Sequence, residues 1–423
     1  MAGINNREIA LDTLVEILEH GQFSHIYLKA VLDKYAYLEK TERSFITRLV
    51  SGTVERKIEL DYIIDNYSKT KAKKMKPLIR TMIRMGVFEI YYMDAVPDSA
   101  TCNEYVKLAK KRGFGGLSGF VNGVLRNIAR DKGGVQITDL GIKYSMPQWI
   151  VDKWTKDYGK DICEKILLGF FQSQDLCIRV NSSKTSQKEL TIALQAQGIT
   201  VRKCDTLESA LYISDYDVLS AIPEFAQGKF YVQDYSSQLV ANLAKVDTND
   251  KIIDVCAAPG GKALHFAQLA KAGKVIARDL TEAKVALIQE NIQRADVDNV
   301  EAQQWDATVL DEAAVGKYDI VVADLPCSGL GIIRKKPDIK YNQSLKSLEE
   351  LVKLQQQILE TVHLYLKAGG TLCYSTCTIN KDENDNQVKA FLAKHPEYSV
   401  TEQMQLFPDS EHDGFFICVM KKN

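Results

Sequence analysis

The stretch KIIDVCAAPGGKALHFAQLAKAGKVIARD, residues 251–279, decides the fold of the C-terminal half of the chain. It contains an apolar strand, a loop of small residues, a helix with apolar spacing and a second strand that ends in an aspartate. Strands and helices continue to alternate in this way from about residue 228 onwards, with strand-like runs such as FYVQD (230–234), YDIVVADL (318–325) and GTLCYST (370–376). Alternation with this period predicts a doubly wound, mostly parallel sheet.

The loop after the first of these two strands has the features of a ligand site. Glycines let a backbone approach a ligand closely, and the N-terminus of the following helix presents unpaired N–H groups. Asp279 ends the next strand 19 residues after Gly260, where an acid holds ribose hydroxyls in nucleotide sites. The loop is not GxGxxG and contains Pro259, and glycines also end strands in proteins without cofactors. Together with Asp306, which closes the run VEAQQWD, the pattern favours a cofactor that contains a nucleoside.

Two cysteines follow two other predicted strands. Cys327 comes three residues after Asp324, in the run DIVVADLPCSG, and Cys377 comes directly after GTLCYST. Consecutive strands of such a sheet are neighbours about 5 Å apart, so both thiols are expected to face the same cleft. Buried cysteines are commonly small apolar residues, which is the interpretation for Cys373 and Cys418 within their strands. A thiolate beside an electrophilic cofactor indicates nucleophilic catalysis.

Methylation of carbon 5 of a pyrimidine is a reaction that uses two thiols and a carboxylate. A thiolate that adds to carbon 6 makes carbon 5 nucleophilic, and Asp324 can hydrogen-bond the ring at N3. A base must then remove the proton from carbon 5 before the thiol can leave. Spacing alone allows either cysteine to be the nucleophile. The scheme needs no metal, and nine scattered cysteines without CxxC pairs or nearby histidines argue against zinc and for a reducing cytoplasm.

The N-terminal residues 1–135 have helical apolar spacing almost throughout and predict a bundle of six or seven helices. Residues 1–140 carry 22 lysines and arginines against 17 acids, although the net charge of the chain is −1. For either of its two basic runs alone, a solvated helix face is the simpler interpretation, but two runs on one face would bind phosphates. The runs comprise Lys69, Lys71, Lys73, Lys74, Lys76, Arg80 and Arg84, and then Lys107, Lys110, Lys111 and Arg112.

A smaller domain is predicted at residues 145–227. After a helical stretch, the strand LCIRVN is followed by a helix with capping-box residues Ser186 and Glu189, and then by the strands ITVRK and ALYIS. This order suits a compact α+β sheet of the kind that RNA-recognition modules use. The α/β region at 228–423 then forms the third domain. No apolar run approaches the roughly 18 residues of a membrane span, and the charged start of the chain is unlike a signal peptide.

Three motifs resemble the signatures of the S-adenosylmethionine-dependent RNA cytosine-C5 methyltransferases: DVCAAPGGK (254–262), DLPCSGLG (324–331) and YSTCTINKDEND (374–385). The run FVNGVLRNIAR in the helical part is similar to the NusB family of RNA-binding bundles, and GIIRKKPDIKY (331–341) resembles the bacterial 16S rRNA branch of the methyltransferases. The resemblance implies a multidomain chain. Its parts are an all-α NusB-like N-terminal bundle, a small α+β RRM-like middle domain and a C-terminal α/β Rossmann-like class I methyltransferase domain.

The resemblance also implies roles for individual residues. Cys377 is the nucleophile, Cys327 helps to release the product, and Asp324 borders both cofactor and target base. The implied cofactor is S-adenosyl-L-methionine, held by Cys256, Ala257, Ala258, Pro259, Gly260, Gly261, Lys262, Asp279, Asp306 and Asp324.

The implied partner is 16S rRNA or a small-subunit precursor, bound by a monomer without metal or membrane. Arg334, Lys335 and Lys336 either grip the RNA backbone or belong to a solvated loop. Two other functions are open: a non-catalytic RNA-binding assembly or antitermination factor, and an amino-group methyltransferase. The latter typically carries Asn-Pro-Pro-aromatic where this chain has Asp-Leu-Pro-Cys.

Overall fold

The computed structural model describes residues 5–423. The chain divides into two compact units, one comprising residues up to Leu168 together with Ile333–Asn342, and the other comprising Gly169–Ile332 and Gln343–Asn423. No helix within the described range has the length and apolar character needed to cross a membrane.

The first unit is helical, and its described residues from 5 to 130 form seven α-helices, within the predicted range of six or seven. Its helices are α1 (Asn6–Leu18), α2 (Ser24–Lys34), α3 (Lys40–Glu55), α4 (Lys57–Tyr67), α5 (Pro77–Tyr92), α6 (Asp98–Lys111), α7 (Ser118–Arg130), α8 (Leu140–Lys143), α9 (Gln148–Tyr158) and α10 (Lys160–Gly169). Residues 131–139, which include Gly133 and Gly134, separate α7 from α8.

Helix α5 is the centre of this unit and is buried over most of its length. It begins with Pro77 at its first turn, where the missing N–H of proline costs no helical hydrogen bond. Gly52 of α3 faces the ring of Phe88, and a Cβ added there would lie 2.0 Å from Cζ of that ring. The glycine therefore permits a close approach of α3 to α5, which a larger residue would prevent.

One carboxylate of α5 is fully buried and organises the polar contacts of the bundle. Glu89 accepts hydrogen bonds from Arg7, with Nε to Oε1 at 2.9 Å and a guanidinium N–H to Oε2 at 2.6 Å. The hydroxyls of Tyr105 and Thr101 also donate to it. A buried carboxylate is tolerated because charged and neutral donors saturate it, so loss of the charged donor is costly.

The segment Ile333–Asn342 comes from between the two cysteine motifs but belongs to the helical unit. Lys340 Nζ donates to the carbonyl of Glu55 at 2.6 Å, and the Tyr341 hydroxyl donates to the carbonyl of Val54 at 2.9 Å. The Lys340 side chain is buried, the Tyr341 side chain is half-buried, and Lys57 Nζ of α4 lies 3.9 Å from the centre of the Tyr341 ring. Of the three cations predicted to contact RNA here, Lys335 is exposed, whereas Arg334 and Lys336 are half-buried. The segment is therefore anchored at its C-terminal end.

The two basic runs differ in their surroundings. In the first, Arg80 and Arg84 are half-buried or buried and bind Glu19 and Asp61, but the remaining five side chains are exposed: Lys69, Lys71, Lys73, Lys74 and Lys76. These lysines lie in the loop and 3-10 turn between α4 and α5, so a helix face is the wrong description of them. In the second run, the ion pairs of Lys107, Lys111 and Arg112 engage acids of α6 and α1.

The second unit contains two sheets, and the smaller has the order β2-β3-β1-β4. Its elements are β1 (Leu176–Val180), α11 (Gln187–Gln195), β2 (Thr200–Lys203), β3 (Ala210–Ser214), α12 (Pro223–Ala226) and β4 (Phe230–Val232). The predicted capping box at Ser186 is present. The assignment of FYVQD to the large sheet is wrong, because β4 pairs antiparallel with β1. It covers an edge of β1 that would otherwise leave backbone groups unpaired.

The larger sheet has seven strands in the order β10-β11-β9-β8-β5-β6-β7. Its strands are β5 (Lys251–Asp254), β6 (Lys274–Asp279), β7 (Val300–Gln304), β8 (Tyr318–Asp324), β9 (Leu366–Thr376), β10 (Tyr398–Leu406) and β11 (Phe415–Lys422). Its helices are α13 (Tyr235–Leu243), α14 (Gly261–Leu269), α15 (Glu282–Ala295), α17 (Leu345–Val362) and α18 (Asp385–Lys394), and the short α16 (Ile339–Asn342) belongs to the first unit.

Strands β5 to β9 are parallel, and the C-terminal pair β10 and β11 is antiparallel, which confirms a mostly parallel, Rossmann-like sheet. The order reverses between β5 and β8, since β5 pairs with β6 on one side and with β8 on the other. In sheets of this type, ligands bind beyond the carboxyl ends of the strands at this reversal. We therefore expect a ligand site at the residues that follow β5 and β8.

We predict that Arg7→Met destabilises the helical unit by about 3–5 kcal/mol, because the charge of Glu89 would remain buried without its cationic partner. Urea unfolding measures the change. Lys107→Met is the control, since it removes a cation from an exposed ion pair with Glu104 and should leave stability unchanged within error. Equal stability of the two variants would contradict this account of the bundle.

Candidate active site

The parallel pairing of β8 with β9 brings the two cysteines together. Asp324 is opposite Ser375 in the register, and the backbone N–H of Leu325 donates to the carbonyl of Ser375 at 3.1 Å. Beyond these paired residues, the Sγ atoms of Cys327 and Cys377 lie 3.3 Å apart. The structure thus brings together the two thiols that the sequence places after consecutive strands.

The other strand cysteines lie elsewhere. Cys373 in β9 and Cys418 in β11 are fully buried among apolar residues of the sheet, as their positions within strands predict. Burial raises the pKa of both thiols, which keeps them neutral. The contrast with the half-exposed Cys327 and Cys377 separates the packing cysteines from the two that can meet a ligand.

The two neighbouring thiols are close enough to form a hydrogen bond with each other. The hydrogen bond with Cys377, together with burial and the nearby carboxylate of Glu383, raises the pKa of Cys327 well above the usual range of a thiol. Cys327 is therefore protonated at neutral pH and can donate its S–H to the sulfur of Cys377. A cysteine is a nucleophile in its thiolate form, and the Cys377 sulfur lies beside this S–H donor.

A carboxylate and an ammonium group lie at the carboxyl ends of the same strands. Asp324 Oδ2 is 2.7 Å from Lys262 Nζ, and Asp324 Oδ1 accepts a hydrogen bond from Ser375 Oγ at 2.7 Å. Burial alone would lower the pKa of Lys262, but the Asp324 carboxylate outweighs burial and raises it. Lys262 therefore stays charged, and the pair links the predicted cofactor loop to the strand that precedes Cys327.

The predicted cofactor loop, residues 256–262, joins β5 to α14 at the point where the strand order reverses. Gly260 has φ +103°, a conformation that L side chains rarely adopt. Gly261 is the first residue of α14, and a Cβ added there would find its nearest neighbour, Gln233, only at 3.9 Å. The loop therefore presents open space in front of a helix N-terminus, which suits a ligand that approaches the backbone closely.

The two other predicted cofactor acids follow β6 and β7. Asp279 is buried; its Oδ2 accepts the backbone N–H of Ala258 at 3.0 Å, and its Oδ1 lies 3.0 Å from Lys284 Nζ. Asp306 is exposed, and its hydrogen bonds from the hydroxyl and backbone N–H of Thr308 lower its pKa. The structure therefore connects Asp279 directly to the cofactor loop, whereas Asp306 stands at the adjacent strand end.

Two buried polar atoms next to the loop fit a bound polar ligand. Asp254 Oδ2 and Gln233 Nε2 find no hydrogen-bond partner among residues 5–423. Burial, with a contribution from Asp324, raises the pKa of Asp254 to about 8. Unpaired buried polar groups are rare in folded proteins, so these two atoms indicate where a ligand would complete the site.

Asp254 and Gln233 are not among the site residues that the sequence predicts. The signal for Asp254 was available, because it ends β5 just as Asp279 ends β6 and Asp324 ends β8. Gln233 has no such signal, because it follows β4, a strand of the small sheet that the sequence predicts for the large one.

Within the described residues, one group could hold a metal ion by proximity: Glu360, His363 and His395. It lies near the start of β9, at the opposite end of that strand from Cys377. Glu360 is already bonded to Lys394 at 2.9 Å and to His395 at 3.1 Å. These contacts explain the cluster as an ion-pair network that is separate from the two thiols.

Family comparisons agree with the domain order. Residues 4–130 match the NusB family, residues 146–218 match a ferredoxin-like domain described as Methyltr_RsmF/B-like, and residues 241–421 match the family described as 16S rRNA methyltransferase RsmB/F.

Known structures with similar folds include one described as PH0851, with a TM-score of 0.84 and 23% identity over 99% of both chains. NSun6 from Pyrococcus horikoshii, solved with SFG, has a TM-score of 0.59 and 24% identity over 65% of this chain and 98% of its own. These similarities show a shared fold and nothing beyond it.

Relatives along the full chain include two proteins described as probable ribosomal RNA small subunit methyltransferase B. That of Bacillus subtilis is 35% identical over 98% of both chains, and that of Synechocystis is 33% identical over 99% of this chain and 100% of its own. The chain therefore belongs to the family of ribosomal RNA small subunit methyltransferase B, with its NusB, ferredoxin-like and methyltransferase domains in that order.

Proposed function

We propose that this chain transfers a methyl group from S-adenosyl-L-methionine to carbon 5 of a cytosine in 16S rRNA, through a covalent bond between Cys377 and carbon 6. The observation that carries the proposal is the 3.3 Å contact between the sulfurs of Cys377 and Cys327, beside the Lys262–Asp324 ion pair. The description of the matched family and the names of the relatives support ribosomal RNA as the substrate. Membership of a methyltransferase family supports the cofactor.

The first chemical step is the addition of the Cys377 thiolate to carbon 6 of the cytosine. The electron pair of the C5–C6 double bond moves to C4–C5, and that of the C4–N3 bond moves onto N3, which takes a proton from water until the methyl group is transferred. The Asp324 carboxylate, held by Lys262 and Ser375, accepts a hydrogen bond from this N3–H. Stabilisation of charge that develops only during reaction lowers the barrier without tightening ground-state binding. Carbon 5 becomes nucleophilic in this adduct.

The cofactor, when bound at residues 256–262, supplies an electrophilic methyl group to carbon 5. Elimination then falls to Cys327, whose sulfur lies 3.3 Å from that of Cys377. The Cys327 thiol first loses its proton to water, and the resulting thiolate accepts the proton from carbon 5. The electron pair of the C5–H bond restores the C5–C6 double bond, and the electron pair of the C6–S bond returns to Cys377. One proton is released for each methyl group transferred, and both cysteines regain their starting states.

RNA binding in this proposal uses the five exposed lysines between α4 and α5, since phosphate contacts supply most of the affinity for nucleic acids. A cytosine inside an RNA helix must be extruded before a thiol can reach carbon 6. Extrusion requires that the protein bind the RNA backbone on either side of that cytosine. The small α+β domain at 145–227 is proposed to contribute to this binding of the RNA backbone. We further propose that the enzyme acts as a monomer in the cytoplasm.

We predict that rRNA containing 5-fluorocytosine traps the wild-type enzyme as a covalent adduct in the presence of S-adenosyl-L-methionine, because fluorine at carbon 5 blocks elimination. The Cys327→Ala variant should also be trapped, and Cys377→Ala should give no adduct on denaturing gels. Cys204→Ala is the matched control, because Cys204 is half-exposed like the active pair but lies in the small α+β domain.

The outcomes discriminate between the possible roles. Loss of the adduct only in Cys327→Ala would reverse the assignment of the two thiols. Absence of an adduct from the wild type, with cofactor binding intact, would instead favour a non-catalytic RNA-binding factor.

For the cofactor site, we predict that Asp279→Ala weakens binding of S-adenosylhomocysteine roughly tenfold to a hundredfold, the effect of losing hydrogen bonds to a charged group. Isothermal titration calorimetry measures the dissociation constant. Asp296→Ala serves as the control, since this highly exposed acid ends α15 away from the loop. Unchanged affinity in Asp279→Ala would exclude the proposed ribose contact.

A further inference from the structure

A buried carboxylate lies beneath the two cysteines and contacts the loops that carry them. Glu383 is fully buried. Its Oε1 accepts the backbone N–H of Ser328, the residue after Cys327, at 2.8 Å, and its Oε2 accepts the Ser328 hydroxyl at 2.5 Å. Oε2 also accepts Asn380 Nδ2, three residues after Cys377, at 3.0 Å. One side chain thus fixes both loops.

Other buried polar groups complete the attachment. The hydroxyls of Ser328 and Thr378 lie 2.8 Å apart, which ties the residues that follow the two cysteines to each other. Gln355 Nε2 donates to Glu383 Oε1 at 3.1 Å and to the carbonyl of Pro326, the residue before Cys327, at 2.9 Å. Each of these contacts helps to fix the position of one of the two loops that carry Cys327 and Cys377.

The four donors to Glu383 are neutral, and the described part of the chain contains no ion pair for this carboxylate. A buried anion is costly unless hydrogen bonds saturate it, and here four hydrogen bonds occupy its two oxygens. Its negative charge acts on the neighbouring thiol and contributes to the raised pKa of Cys327. A group that served packing alone would not need the charge.

We propose that Glu383 is a positioning residue that holds the Cys327 thiol against Cys377 and tunes Cys327 for its part in elimination. The inference deepens the proposed function and rests on it. In this account the carboxylate keeps Cys327 protonated while Cys377 attacks carbon 6. It also makes the Cys327 thiolate a stronger base when the proton of carbon 5 must be taken. Addition depends on Cys377, so Glu383 should matter chiefly for release.

The test is Glu383→Gln, which keeps the size of the side chain but removes the charge and replaces one acceptor oxygen with a donor. Trapping on 5-fluorocytosine rRNA should persist, but release from ordinary rRNA should slow roughly tenfold to a hundredfold, as expected when a hydrogen bond to a charged group is lost. Removal of the negative charge lowers the pKa of Cys327, so the pH profile of release should move to lower pH.

Gln387→Leu is the matched control, because Gln387 is a buried polar residue that bonds to Gln355 but contacts neither cysteine loop. It should leave the pH profile of release where it is in the wild type. If Glu383→Gln does not fold, Ser328→Ala removes the hydroxyl donor to the carboxylate and should slow release without preventing trapping.

Two results would overturn the inference. One is a folded Glu383→Gln variant with the release rate and pH profile of the wild type. The other is a folded variant that fails to form the adduct, since Glu383 would then act on addition. Failure of the wild type to be trapped would instead refute the proposed function, whatever the behaviour of Glu383→Gln.

Discussion

The site depends on the register of β8 against β9. With Asp324 opposite Ser375, the chain beyond each strand carries its cysteine to the same level, and the sulfurs meet at 3.3 Å. The backbone N–H of Gly331 then donates to the carbonyl of Cys377 at 3.0 Å, so the two loops stay paired beyond the strands. Because side chains alternate along a strand, a slip of one residue would turn Asp324 away from Lys262 and separate the thiols.

The strand ends form an acidic rim whose charge is only partly balanced. Lys262 pairs with Asp324 and Lys284 pairs with Asp279. Asp254 is buried without such a partner, and its raised pKa of about 8 makes it protonated at neutral pH. Ion pairs, a neutral acid and two thiols therefore lie together at one edge of the sheet. A solvated surface would not maintain this combination of charged and neutral groups. Glu383, beneath this edge, adds a charge that is satisfied by neutral donors alone.

Much of this arrangement could be predicted from the sequence, because it follows from local patterns. Strand periodicity locates β8 and β9, and each cysteine follows its strand within three residues, so their proximity requires only that the two strands be neighbours. The placement of β4 could not be predicted, since three residues carry no signal for the sheet that they join. The role of Glu383 could not be predicted either, because a buried carboxylate and an exposed one look the same in a sequence. The anchoring of Lys340 depends likewise on tertiary packing.

The central claim is that methylation occurs at carbon 5 of cytosine, and its most direct test uses 16S rRNA that carries tritium at carbon 5 of its cytosines. The full-length enzyme and S-adenosyl-L-methionine labelled with carbon-14 in the methyl group would be added, and both isotopes followed. We expect one tritium to be released to water for each methyl group incorporated. Incorporation of methyl groups without release of tritium would place the reaction at another atom and contradict the account.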